Sequence, residues 1–302
     1  MEKNSNLAKR TLTGVLFVAV LVGGILYSPL TFTLLFCLIS ALTVHEYCRL
    51  VNEHCAARSV QVPTTLLIAS AVYLFLAQVM YMTMGTMYVF APYFLFMIGL
   101  FVRELYLKRP DPIANWAYSA LSQLYIALPF SLLVWLYVFF CQPELSANSF
   151  LLPDFLGNTE VFRASFLLPL SVFVFLWAND TGAYCIGSLL GRHRLFPRIS
   201  PAKSWEGFIG GLLVAALAGW VFWAVDGRYL AAYTEGEWTG LALVVACFGT
   251  WGDLVESLLK RTLGIKDSGN VLPGHGGMLD RFDSSLLAIP AALCYIFLIE
   301  FT

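Results

Sequence analysis

Residues 251–283 read WGDLVESLLKRTLGIKDSGNVLPGHGGMLDRFD, in a chain of 302 residues of which only 12% are Asp, Glu, Lys or Arg. This one stretch carries Asp253, Glu256, Lys260, Arg261, Lys266, Asp267, Asp280, Arg281 and Asp283, with the loop G-H-G-G between them. Apolar runs flank it on both sides. Ionised groups facing hydrocarbon are costly, so charge at membrane depth lines a cavity and marks function. The stretch is therefore read as an active site held by membrane helices.

Composition supports that environment. The chain is 59% hydrophobic and 15% aromatic, with a mean hydropathy of +0.75, beyond what a soluble globular domain shows. An all-α, polytopic membrane bundle is expected. The formal net charge of -1 provides no basic field of the kind that binds nucleic acid. Seven cysteines are scattered without a C-x-x-C pair, which argues against a disulfide framework and against a zinc site.

Nine apolar spans are predicted, over 12–27, 30–44, 63–80, 86–102, 116–140, 165–190, 205–225, 240–260 and 284–301. Most approach the length that crosses about 30 Å of hydrocarbon. The first is expected to be a retained helix and not a cleaved leader, because no small-x-small site follows it and a second apolar run begins almost at once. The eighth is interrupted by Asp253, Glu256 and Lys260, as expected of a helix packed inside a bundle. With the N-terminus in the cytoplasm, 16 of the 18 basic residues fall on the cytoplasmic side, leaving Arg163 and Arg228 outside. Residues 1–160 are expected to form a scaffold of about five helices with oligomer contacts. Residues 161–302 are expected to hold the catalytic region, with cytoplasmic loops 191–204 and 261–283.

On a helix, Asp253, Glu256, Ser257 and Lys260 share one face through i, i+3, i+4 and i+7 spacing. A salt-bridge ladder that stiffens a bundle would use the same residues. The adjoining loop favours a site. Gly274, Gly276 and Gly277 around His275 expose backbone N–H groups suited to phosphate oxygens. Lys260, Arg261, Lys266 and Arg281 are phosphate counterions, and Asp253, Asp267, Asp280 and Asp283 are hard oxygen ligands that suit Mg²⁺. Together they point to nucleotide phosphoryl or nucleotidyl transfer.

A second cluster joins Asn179, Asp180 and Thr181 in the sixth span to the loop that follows it. Asp180 either partners a buried cation or lines the polar cavity. Arg192, Arg198, Lys203 and Ser204 are expected to form a phosphate or headgroup surface. Gly187 and Gly191, with Gly207, Gly210 and Gly211, are small residues that permit close helix approach. Glu46, at the cytoplasmic end of the second span, has no identifiable partner in the sequence.

The run S-L-L-K-R, four residues, then K-D-S-G-N-V-L-P-G-H-G-G-M-L-D-R-F-D, from Ser257 to Asp283, resembles the signature of the phosphatidate cytidylyltransferases, or CDP-diacylglycerol synthases. The N-D-T-G-A-Y segment from Asn179 and the S-P-A-K-S-W-E-G segment from Ser200 also resemble that family, so the likeness runs from about 177 to 283. It implies formation of CDP-diacylglycerol and pyrophosphate from CTP and phosphatidic acid, by an integral membrane homodimer. It also implies Mg²⁺ on Asp253 and Asp280, a second, monovalent cation such as K⁺, and a cytoplasmic-membrane location if the source is bacterial.

In such a reaction the lipid phosphate attacks the α-phosphorus of CTP in line. A phosphomonoester is largely dianionic near neutral pH, so no strong base is required. Lys260, Lys266 and Arg281 are the expected catalytic cations, and Asp267 and Asp283 support the metal. Ser257, Arg261, His275, Gly276, Gly277, Lys203, Ser204, Asp180 and Arg198 are expected to bind substrate. A CTP-dependent lipid or polyprenol kinase would draw on the same chemistry and release CDP. A secondary transporter with intramembrane carboxylates would not need the glycine loop, and the D-G-x-x-A-R pattern of CDP-alcohol phosphotransferases is absent.

Overall fold

The computed structural model describes residues 2–55, 60–139, 166–227, 233–269 and 276–300. Ten α-helices account for most of them: α1 (Glu2–Tyr27), α2 (Pro29–His54), α3 (Thr64–Met84), α4 (Ala91–Leu107), α5 (Pro112–Leu121), α6 (Leu128–Phe139), α7 (Leu167–Leu190), α8 (Trp205–Asp226), α9 (Glu235–Thr262) and α10 (Met278–Glu300). A π-helical turn, Ser122–Ala127, joins α5 to α6. The all-α membrane architecture is therefore present. The sequence did not predict the small antiparallel hairpin of β1 (Arg194–Phe196) and β2 (Ser200–Ser204).

Seven of the described helical segments are long and apolar enough to cross a membrane. The expected nine would add α1, whose described apolar part is Thr13–Tyr27, and α7, a 24-residue helix in which Asn179 and Asp180 interrupt the apolar run. The polar-faced eighth span is a single helix, α9, of 28 residues, longer than predicted at both ends.

Local chemistry sets the helix ends. Ser28 caps α2 by accepting a bond from the Thr31 amide at 3.1 Å, while its own amide donates to Thr31 Oγ1 at 3.0 Å. Pro29 follows at the first helical position, where its missing N–H costs nothing. α3 ends on Gly85, whose φ of 67° is left-handed and whose N–H reaches the Tyr81 carbonyl at 2.8 Å. Asp111 caps α5 on the Ala114 amide at 3.1 Å, followed by Pro112.

The described chain divides into two compact units. Residues 2–135, 262–269 and 276–282 form the first; residues 136–139, 166–261 and 283–300 form the second. The division differs from the expected boundary at 160, because the segment after α9 and the first residues of α10 group with the N-terminal helices. In the first unit, the Phe282 ring meets Phe17 and Phe130 edge-on, with centroids 5.7 and 5.4 Å apart. Buried Gln123 is satisfied there by Ser70 Oγ, the Leu67 carbonyl and Ser122 Oγ.

In the second unit α7 and α8 pack through glycines. A Cβ at Gly207 would lie 2.9 Å from the Ala183 carbonyl oxygen, and one at Gly182 would lie 2.8 Å from that of Gly210. Apolar side chains gain little by leaving lipid, so such backbone contact is what holds membrane helices together. Trp238 is buried against Phe175, Phe222 and Tyr233. No disulfide pairs the cysteines among the described residues.

Candidate active site

The second unit brings part of the predicted site together. Gly252 comes immediately before Asp253 on α9. A Cβ there would stand 2.8 Å from the Asp283 carbonyl oxygen and 3.0 Å from that of Ser284, so only glycine lets α9 meet α10 at this level. That contact sets Asp253 beside Asp283. Asp283 is within electrostatic range of Asp253, Glu256 and Asp180.

The face predicted on α9 exists. Ser257 Oγ donates to Asp253 Oδ1 at 3.2 Å, and Lys260 Nζ pairs with Glu256 Oε2 at 2.7 Å, one turn apart. Glu256 is fully buried, and its pairing with Lys260 is the ladder element the spacing allowed. Lys260 is thus directed to a carboxylate of its own helix. Arg261 is exposed at the next position.

Lys203 supplies the tertiary link. It sits on β2, and its Nζ is 2.6 Å from Asp253 Oδ2 and 3.5 Å from the Thr250 carbonyl oxygen. The hairpin holds its position through the next helix. Ser204 caps α8 by accepting from the Gly207 amide at 3.1 Å, and Glu206 accepts from the amides of Arg192 and His193 at 3.1 and 3.2 Å. His193 Nδ1 also contacts Glu206 Oε1 at 2.6 Å. Arg198 lies exposed in the hairpin turn.

A cavity of about 730 Å³ opens between α7, the hairpin and α8, lined among others by Asp180, Ser188, Arg194, Lys203, Ser204 and Thr250. That volume fits the range of small-molecule sites. Asn179 secures its floor, donating from Nδ2 to Thr250 Oγ1 at 3.2 Å, and a Cβ at Gly211 would run into the Asn179 side chain. Asp180 is within electrostatic range of Lys203 and Asp253.

The remaining predicted residues belong to the first unit. Lys266 and Asp267 are exposed after α9. Asp280, in the first turn of α10, accepts at Oδ2 from the amides of Ser268 and Gly277, both at 3.0 Å. The Gly277 amide, expected to face phosphate, is thus directed to Asp280 here. Gly276 adopts a φ of 80°, which glycine tolerates without strain. Arg281 is exposed, and His275 lies outside the described residues.

Sequence reasoning missed the importance of Glu46. Its partners are Ser268 Oγ and the amides of Met278 and Leu279, the latter two at 2.8 and 3.3 Å. A carboxylate at the end of an apolar span was the available signal, since a charge that becomes buried requires partners.

Acidic side chains with hard oxygen donors suit Mg²⁺. Among the described residues, no three His, Cys, Asp or Glu side chains converge into a metal-binding group. Mg²⁺ commonly takes only one or two carboxylates, with substrate phosphates and water completing its shell. Among the described residues Lys203 pairs with Asp253 and Lys260 with Glu256, while Asp180 and Asp283 add carboxylates within electrostatic range, a concentration of negative charge that a bound cation would offset. The donor set fits such an ion.

Fold and site together define a multi-pass membrane protein with a cavity lined by Lys203, Arg194 and Asp180 beside clustered carboxylates. The sequence model of the Cytidylyltransferase family matches residues 8–299, and the chain belongs to that family. It is 46% identical over 123 residues to proteins named phosphatidate cytidylyltransferase from Staphylococcus aureus strain COL and Staphylococcus haemolyticus strain JCSC1435. A similarly named protein of Staphylococcus saprophyticus is 45% identical over the same length. These matches cover 40% of this chain and 45% of each relative, so the chain spans less than half the length of the curated relatives it matches.

Proposed function

We propose that the chain forms CDP-diacylglycerol and pyrophosphate from CTP and phosphatidic acid at a site facing the cytoplasm. The observation that carries this reading is the Lys203–Asp253 pair at the edge of the 730 Å³ cavity, in a chain of the Cytidylyltransferase family. The names of the relatives support the substrates. The distribution of basic residues between spans supports the cytoplasmic face, and the resemblance of the signature supports a homodimer.

The chemistry requires two polyanions to meet. An oxygen of the lipid phosphate forms a bond to the α-phosphorus of CTP, the bond to the bridging oxygen breaks, and pyrophosphate departs. Lys203 and Arg194 line the cavity and offset phosphate charge, and Asp253 fixes Lys203 in place. Mg²⁺, when bound, would neutralise and orient phosphate oxygens. Asp253, with Asp283 and Asp180 nearby, would hold it in the second unit. For the first unit, the resemblance implies Asp280 as a metal ligand with Asp267 as support. Lys260, Lys266 and Arg281 serve as the other cations, and a monovalent ion such as K⁺ is the second cofactor.

Detergent-solubilised protein supplied with labelled CTP and phosphatidic acid tests the reading. CDP-lipid and pyrophosphate are expected. Release of CDP with phosphorylated lipid would make the protein a CTP-dependent kinase instead. Light scattering of the same preparation tests the dimer, which a mass of one chain would exclude.

A further inference from the structure

Glu46 lies on α2, is 1% exposed, and has no part in the chemistry described above. Burying a carboxylate costs several kcal/mol unless hydrogen bonds replace its water. Three donors do so: Ser268 Oγ and the Leu279 amide on Oε1, and the Met278 amide on Oε2. Arg49, one turn further along α2, donates to the Ser268 carbonyl oxygen at 3.4 Å.

These partners form a pattern. Ser268 lies at the entry to the glycine-rich segment, and Met278 and Leu279 at its exit, where α10 begins. The first N–H groups of a helix have no partner within it, and the helix dipole favours an anion there. Glu46 takes two of those amides, from 232 and 233 residues earlier in the chain. Asp280 takes the amide of Gly277 and also that of Ser268, so both carboxylates bridge the same two ends of the segment. Glycines leave room for Glu46. A Cβ at Gly277 would run into its carboxylate and into Ser268 Oγ, and one at Gly269 would lie 3.2 Å from Glu46 Cδ and 3.1 Å from Arg49 Nη2.

We propose that Glu46 is a positioning residue for the reaction: from α2 it clips together the entry and exit of the glycine-rich segment, and so holds Asp280 at the start of α10. This rests on the function proposed above. A cap needed only for helix stability could come from a neighbouring Ser or Asp. One that joins Ser268 to Met278 fixes the positions of these two residues relative to each other and the setting of Asp280. Misplacement of catalytic groups by about 1 Å can cost 10²-fold in rate.

The test compares wild type, Glu46→Gln, Ser268→Ala and the exposed control Glu53→Gln, all as the full chain in detergent. CDP-lipid formation and backbone hydrogen exchange are both measured. Glu46→Gln should lower kcat about 10- to 100-fold with a smaller change in KM for CTP, and speed exchange in peptides covering 264–282 while other helices keep their protection. Ser268→Ala should give a weaker form of the same pattern, and Glu53→Gln should match wild type. Unchanged local exchange in Glu46→Gln would overturn the clamp. Faster local exchange with full turnover would overturn its catalytic role, as would protection lost throughout the chain. If wild type forms no CDP-lipid, the proposed function fails and the catalytic half of this proposal with it, while the exchange data still decide the clamp.

Discussion

Lys203 Nζ and Asp253 Oδ2 stand 2.6 Å apart, an ion pair that ties the hairpin after α7 to the charged face of α9. The two side chains are 26% and 31% exposed, so solvent screens the pair and its worth to stability is about 1 kcal/mol or less. Its value lies in aiming a cation at the cavity. Lys203→Met should therefore lower kcat/KM about 10²- to 10³-fold, the scale of losing one electrostatic contact to a developing charge. The thermal midpoint should shift little. A loss of stability matching the loss of activity would assign Lys203 to folding alone.

Asp253→Asn removes a charge from the group that includes Asp283 and Asp180. Turnover is expected to fall by at least about 10²-fold, with more Mg²⁺ needed to reach half of the remaining rate. EDTA should abolish wild-type activity and Mg²⁺ should restore it. Full activity in EDTA would remove the metal from the scheme.

Gly252→Ala places a methyl group 2.8 Å from the Asp283 carbonyl oxygen, a backbone atom that cannot rotate away. Overpacking of this kind costs about 1–3 kcal/mol, and the displacement acts directly on Asp253 and Asp283. Both thermal stability and turnover should drop. Gly236→Ala, also on α9 but with nothing within 4 Å of the new Cβ, should be neutral or slightly stabilising. Equal behaviour of the two variants in a melting assay would contradict the close contact.

Ser204→Ala removes the cap on α8 and should cost about 1 kcal/mol of stability. The residue also fills the gap between Gly187, Gly191 and Gly207, with Oγ 3.1–3.3 Å from the Cβ positions of Gly187 and Gly207. A lower melting temperature with a modest change in KM is expected. A collapse in kcat without destabilisation would instead place the hydroxyl on substrate.

Topology can be tested by thiol labelling in a background without native cysteines. Lys108→Cys after α4 and Thr86→Cys after α3 are both exposed positions at opposite ends of one span. A membrane-impermeant reagent applied to intact cells should label Thr86→Cys and spare Lys108→Cys. The reverse pattern would place the charged stretch outside.

Much of the site was legible because its signals are local. Asp253, Ser257 and Lys260 share a face by helical spacing alone, and the bonds of Ser257 to Asp253 and Lys260 to Glu256 connect residues four apart. The glycines of α7 and α8 announced close packing for the same reason: small residues at regular intervals leave few other uses within a membrane. The hairpin was not legible. Its three-residue first strand carries little periodic signal, and the residues leading into it, Arg192 and His193, are held by Glu206 from the following helix.

From the sequence alone follow the membrane class, most of the spans, the charged faces and the likeness of the signature, because hydropathy and helical spacing depend on neighbours along the chain. Only the tertiary structure decided which charges meet. Lys203 reaches a helix 50 residues later in the chain, and Glu46 reaches an amide 232 residues away. A buried charge in a sequence shows that a partner must exist. Which partner it has is a matter of distance in space, set by where glycines let the helices touch.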